Sequence, residues 1–185
     1  MFYDKIFFER ACKADRHMSV TTRMIVEQYK KKHSLVQQVR KTKQVQLAGS
    51  SMLPVLDPAK ILTLLVSDCC DPQIGDIVVF EYRHSVVGIA VHRIIRKTGS
   101  IITTKGDNNL QCDERIDSSA IIGKVEKALM KDMSIVTVRS SVFVAWLSRV
   151  ESSIVKWMPK RLAPTLHRGL LKLYTISGDK EGDNR

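Results

Sequence analysis

The sequence is short of the features that mark several common protein classes. Its four cysteines, Cys12, Cys69, Cys70 and Cys112, form no C-x-x-C pair and have no histidine at metal-ligand spacing. Adjacent Cys69 and Cys70 do not close an ordinary disulfide with each other without strain. The pattern argues against a zinc site and against a disulfide scaffold; no metal or other cofactor is expected, and a reducing compartment is the simpler reading. No apolar run approaches the roughly 18 residues a membrane-spanning helix needs, and the longest candidate, Val142 to Leu147, falls far short. Near the N-terminus, Asp4, Lys5 and Glu9 interrupt the apolar character before the core of a secretory signal could form. These absences predict a protein that is cytoplasmic or peripheral at a membrane surface. Internal repeats and low-complexity tracts are also missing.

What remains is a chain of 185 residues, 44% hydrophobic, enough for one well-buried domain with flanking elements. The net charge of +11 is unevenly spread: residues 1–48 carry +7, residues 49–130 carry −1 and residues 131–185 carry +5. A nearly neutral centre with basic flanks suits a core whose ends touch something anionic, such as a membrane surface, an acidic peptide or nucleic acid, or else solvated helix faces.

Periodicity divides the chain in the same places. Residues 1–44 read as a basic helical segment, with a helix over 19–33 capped by Ser19 or Thr21, striped by Val20, Met24 and Ile25, and closed by Lys30, Lys31 and Lys32 at its negative end. One such helix is too little for a helix-turn-helix, so nucleic acid is not an expected partner. Residues 45–138 read as a β-rich core. Runs over Ile61–Val66, Ile77–Phe80, Val86–Ile95, Ile101–Thr104, Ile121–Val125 and Ile135–Val138 are separated by turn residues, with Thr98-Gly99-Ser100 as a hairpin turn. Residues 139–176 return to helical spacing. There Trp146, Leu147, Val150, Ile154, Trp157 and Met158 lie on one face that fits either packing on the β core or an interface with lipid, and Pro159 stops the helix. Residues 177–185 read as a flexible tail. The fold class expected is mainly β with flanking N- and C-terminal helices.

Within the core, Gly49-Ser50-Ser51-Met52-Leu53-Pro54 places two serines after a strand end and before a Pro-stiffened turn. A serine there projects into a cleft but is a poor nucleophile without a base. Further along come Gly75-Asp76-Ile77-Val78-Val79-Phe80, then Val91-His92-Arg93-Ile94, then Thr104-Lys105-Gly106-Asp107-Asn108-Asn109. Singly, each has an ordinary structural explanation: a turn serine, a half-buried strand histidine, a turn aspartate. Together, in this order, they resemble the signal peptidase family of serine endopeptidases, over roughly residues 45–127. The histidine is similar to the endoplasmic-reticulum and archaeal type; bacterial members carry lysine in that place.

The resemblance implies a signal-peptidase-like, SOS-repressor-like β-rich peptidase domain. It assigns Ser51, which directly precedes Met-x-Pro, as the nucleophile and its backbone N–H as an oxyanion donor. His92 becomes the general base, a role that needs a group titrating near neutrality. Asp113 is favoured as the acid that orients the imidazole, with Asp107 in support; residue chemistry alone leaves those two open. Met52 and Pro54 are expected to line the substrate site. The implied substrate is a peptide or preprotein from which a signal or leader segment is cut after small residues. Peripheral membrane contact through the basic flanks accompanies that reading.

Three departures from the family pattern stand out. Gly49 occupies the position where a hydroxyl assists the oxyanion in some bacterial relatives, Ala59-Lys60 replaces a usual Gly-Asp pair, and no counterpart of the family's membrane anchor is expected from the apolar runs. A second reading, from Gly-Ser-Ser-Met, is a DNA-binding regulator with a self-cleaving domain like the SOS repressors. Against it stand His92 in place of lysine, and an Ala48-Gly49 bond too near Ser51 to reach it. A third reading is a catalytically idle binding protein of the same fold.

Overall fold

In the computed structural model, residues 20–69, 71–82, 88–159 and 161–179 are described. They form a mainly β structure, an antiparallel curled sheet flanked by helices, about 31% helical and 32% strand. Helix α1 spans Val20–Thr42, nine residues past the expected end. Lys30, Lys31 and Lys32 therefore sit mid-helix, and Arg40 and Lys41 occupy the last turn, where cations offset the helix dipole. The helix continues because Val36 and Val39, three residues apart, are buried in the core, and packing outweighs the interrupted stripe near its start. The chain leaves it at Lys43, whose φ is 55°. The caps proposed at its beginning include Ser19, which lies outside the described residues.

The strands are β1 (Gln44–Val45), β2 (Ile61–Ser67), β3 (Ile77–Glu81), β4 (Ile89–Thr98), β5 (Ile101–Lys105), β6 (Arg115–Asp117), β7 (Ile121–Met130) and β8 (Ile135–Thr137). Their order is β1-β2-β7-β3-β4-β5-β6, with β8 against β7. Every pairing is antiparallel, so each strand reaches its neighbour through a short connection or a fold-back. Long β7 organises the sheet: one edge takes β2, while the other takes β3 near Lys124 and β8 near Ala128. The hairpin expected at Thr98-Gly99-Ser100 joins β4 to β5, with Thr98 opposite Ile101.

Strand β3 shows why the sequence there is continuously apolar. Ile77 and Val79 enter one buried cluster with Val36, Val39, Met52 and Leu56, while Val78 and Phe80 enter another with Ile94, Ile102 and Ile121. Side chains alternate across a strand, so the stretch covered on both faces, residues 77–80, carries no polar position, and the exposed Glu81 ends it.

Helix α2 (Val142–Val155) begins at Ser141, whose side chain accepts from the Val144 N–H at 3.2 Å, and α3 spans Ala163–Asp179. The start of α2 lies so close to Gly75 that a β-carbon there would come within 2.8 Å of the Ser141 and Val142 backbone; Gly75 also has φ +97°. Helix α2 does not bury the face its apolar spacing indicates. Its inner side is Val144, Ala145, Leu147, Ser148, Glu151 and Ser152, whereas Trp146, Ile154 and the following Trp157 are exposed, Trp157 at 92%. The inner side combines Val144 and Leu147, which cluster with Val55, Leu170 and Leu171, with Ser148, Glu151 and Ser152 over a buried charge pair.

Asp76 ties this end of the sheet together. Its carboxylate accepts from the Gln73 N–H at 2.9 Å and from the Ser140 hydroxyl, and it pairs with Lys124 at 2.8 Å. Burial opposes its charge, but Lys124, Ser140 and the Gln73 N–H together hold the carboxyl below the usual range.

Candidate active site

The Gly49–Pro54 segment lies in the loop between β1 and β2. The Leu53 N–H donates to Ser50 O at 3.2 Å and the Leu56 N–H to Met52 O at 2.9 Å. The Met52 and Leu56 side chains anchor it in the core, with Met52 only 1% exposed. That corrects the expectation for Met52: a side chain buried among Val36, Val39 and Leu56 serves the loop and is closed to a substrate. Pro54 is half-buried beside Val55, and its peptide bond with Leu53 is cis. Gly49 has φ +90°, a backbone conformation that favours glycine. This accounts locally for the missing hydroxyl at that position.

Ser51 faces β4. Its Oγ lies 3.1 Å from His92 Nε2, and His92 Nδ1 lies 2.6 Å from Asp113 Oδ2. Asp113 stands in the loop before β6. It is fixed by its own N–H donating to Thr104 O at 2.8 Å and by the Thr104 hydroxyl donating to Oδ2 at 2.7 Å. The His92 and Asp113 side chains are almost wholly buried, at 8% and 7% exposure. A carboxylate at Nδ1 places the neutral ring's proton on that nitrogen and leaves the Nε2 lone pair toward the serine hydroxyl. Phe80 lies 5.9 Å from the imidazole, centroid to centroid. Tyr82 stands near the same acids: burial first, then the charges of Asp113 and Glu114, push its phenol above the ordinary value.

Asp107 belongs elsewhere. It receives Arg93 Nε at 2.9 Å and NH2 at 2.8 Å, and Arg93 NH1 donates to Gly75 O at 2.8 Å. Both side chains are sealed from solvent. Arg93 follows His92 on β4 and so points to the opposite face of the sheet. The acid next in line to a strand histidine is thus the partner of its neighbour. Ser51, His92 and Asp113 come together; Asp107 does not join them.

The turn carrying Asp107 supports the serine by its backbone. Asn108 N–H donates to Ser51 O at 2.7 Å, and Asn108 Nδ2 donates to Ser50 O at 3.0 Å. Gly106 permits that approach: a β-carbon there would meet Ser51 O at 2.6 Å and Asn109 Nδ2 at 2.8 Å. Behind the turn, Lys105 Nζ pairs with Glu151 Oε2 at 2.8 Å, both fully buried, and Glu151 Oε1 lies 2.5 Å from His167 Nδ1. Arg93, Thr104 and Lys105 stand in the quoted motifs with no role read for them, and Glu151 and His167 were not singled out from the sequence. A lone acid in the otherwise apolar and basic α2 was the one available signal.

Among the described residues no cluster of His, Cys, Asp or Glu has the geometry to hold a metal ion, and no helix is long and apolar enough to cross a membrane. No family model, no curated protein and no solved structure matches the chain.

Proposed function

We propose that the protein is a serine endopeptidase of signal peptidase type that removes a signal or leader segment from a peptide or preprotein. The observation that carries this reading is the hydrogen-bonded series Ser51–His92–Asp113, with Asp113 held by Thr104. In the proposed reaction Ser51 Oγ attacks the scissile carbonyl carbon while its proton passes to His92 Nε2. Asp113 stabilises the imidazolium, and the Ser51 backbone N–H faces the developing oxyanion. Collapse of the tetrahedral intermediate breaks the C–N bond, and the leaving amine takes the proton from His92. Water, deprotonated by the same ring, then attacks the acyl ester, and Ser51 recovers its proton. Cleavage after small residues follows from the resemblance of the four motifs.

The outer side of the C-terminal helices supports a peripheral membrane contact as part of the same reading. Trp146, Phe143, Ile154, Trp157 and Leu162 are exposed, alongside exposed Arg149, Lys156 and Arg161. Glu151 is the sole acid from residue 139 to 172, and it is buried. Aromatic side chains among cations suit an anionic bilayer surface.

A peptide library scanned across small residues at the cleaved position, with products read by mass spectrometry, tests the activity. Defined cleavage by the wild-type chain is expected, with Ser51→Ala lowering the rate by about a thousandfold or more. Equal cleavage by both proteins would overturn the proposal.

A further inference from the structure

We infer that His167 is a positioning residue for Ser51, acting through Asn108 and only while the His167–Glu151 pair holds its extra proton. The inference rests on the serine endopeptidase reading. Asn108 stands between the nucleophile loop and α3. On one side its N–H and Nδ2 donate to Ser51 O and Ser50 O. On the other, its main-chain O and Oδ1 lie 3.0 and 3.3 Å from His167 Nε2. The amide orientation agrees from both ends, with the nitrogen toward the serines and the oxygen toward the imidazole.

A carbonyl oxygen only accepts, so His167 Nε2 carries a proton. Its Nδ1 lies 2.5 Å from Glu151 Oε1, a contact that also needs a proton between the two atoms. Wherever that second proton sits in the bridge, ring and carboxyl together hold one more than a neutral imidazole plus a carboxylate. Among the described residues, the charged groups bonded to the ring and its partner are Glu151 from α2 and, on the carboxylate's far oxygen, Lys105 from β5; the loop presents Asn108 with its amide oxygens. Loss of the extra proton sets a lone pair against the carboxylate or against the Asn108 carbonyl. The ring then turns, and the grip on Asn108, and through it on Ser51, is released.

His92 and His167 therefore need opposite states. His92 acts as base when neutral, and His167 clamps when the shared proton is present. The pH profile of kcat/KM gains an acid limb from the first and an alkaline limb from the second. Misplacing a nucleophile by about 1 Å can cost on the order of a hundredfold, so the alkaline limb reads a catalytic loss rather than a small adjustment.

Two readouts on the full chain test this. With nitrogen-15 in the histidine rings, and the His167 signals assigned by their loss in His167→Gln, NMR is expected to show the Nε2 proton and the bridging proton at neutral pH. One of the two should be lost when the extra proton leaves at higher pH, with the Ser51 and Asn108 backbone amides shifting at the same midpoint. In rate profiles, His167→Gln is expected to abolish the alkaline limb, keep the acid limb and lower kcat at least tenfold with little change in KM. Should that variant fail to fold, Asn108→Ala cuts the link beyond the buried pair: kcat falls, and the Ser51 amide no longer follows the His167 titration. A ring lacking either proton at neutral pH, or an alkaline limb unchanged in the folded variant, would overturn the inference. A chain whose Ser51 amide follows His167 yet which cleaves nothing would support the coupling and overturn the peptidase reading alone.

Discussion

At the residue scale, two aspartates six positions apart do different work, and the difference is one of partner. Asp113 meets a histidine that the serine also meets; Asp107 meets a buried guanidinium through two parallel bonds. Asp113→Asn is expected to keep the fold and lower kcat by about 10³–10⁴-fold, because it leaves the imidazole in the wrong tautomer. Asp107→Asn is expected to cost about 3–5 kcal/mol of stability, because Arg93 is left as an unpaired buried charge. Parallel kinetics and denaturant melts separate the two, and a reversed pattern would contradict the assignment. The resemblance of the motifs favoured Asp113, whereas residue chemistry could not choose. The deciding facts are that Arg93 lies on the far side of β4 and that Thr104, on the neighbouring strand, holds Asp113. Neither is visible without the strand register.

At the element scale, the loops that follow β1 and β5 bring Ser51 and Asp113 to His92 on strand β4. Gly106→Ala pushes a β-carbon into Ser51 O and is expected to lower kcat by about a hundredfold. Thermal stability should fall much less, and calorimetry beside kinetics checks this. The strands were largely legible, since β2, β3 and β5 begin where their apolar runs begin. The helices were less so. Helix α1 outruns its stripe because Val36 and Val39 find the core. Helix α2 turns Trp146 outward, while its inner side carries Val144, Leu147 and the Glu151 that pairs with Lys105. Hydrophobic spacing locates a helix, but it does not report a buried ion pair beneath it.

At the scale of the whole molecule, charge bears on stability and on the proposed membrane contact. Asp76 fastens the β3 entry to β7 and to the residues before α2, and its folded carboxyl is held below its unfolded value despite burial. Its contribution is therefore complete above the unfolded pKa and is lost as pH falls through the folded one. Asp76→Asn is expected to lose about 1–3 kcal/mol at neutral pH and to show a shallower fall in stability under acid, measured by melts across pH. The outer helical face bears on location. Sedimentation with anionic vesicles is expected to carry the protein down at low salt, far less with neutral lipid, and far less after Trp157→Ala combined with Arg149→Gln and Lys156→Gln. Equal sedimentation with both lipids would contradict an electrostatic contact.

The central claim is that Ser51 is a nucleophile activated by His92, and an active-site-directed fluorophosphonate tests it most directly. One covalent adduct per chain is expected, located on Ser51 by peptide mass spectrometry, absent in Ser51→Ala and slowed by about a thousandfold in His92→Ala. No adduct, or an adduct on Ser50 that persists in Ser51→Ala, would contradict it.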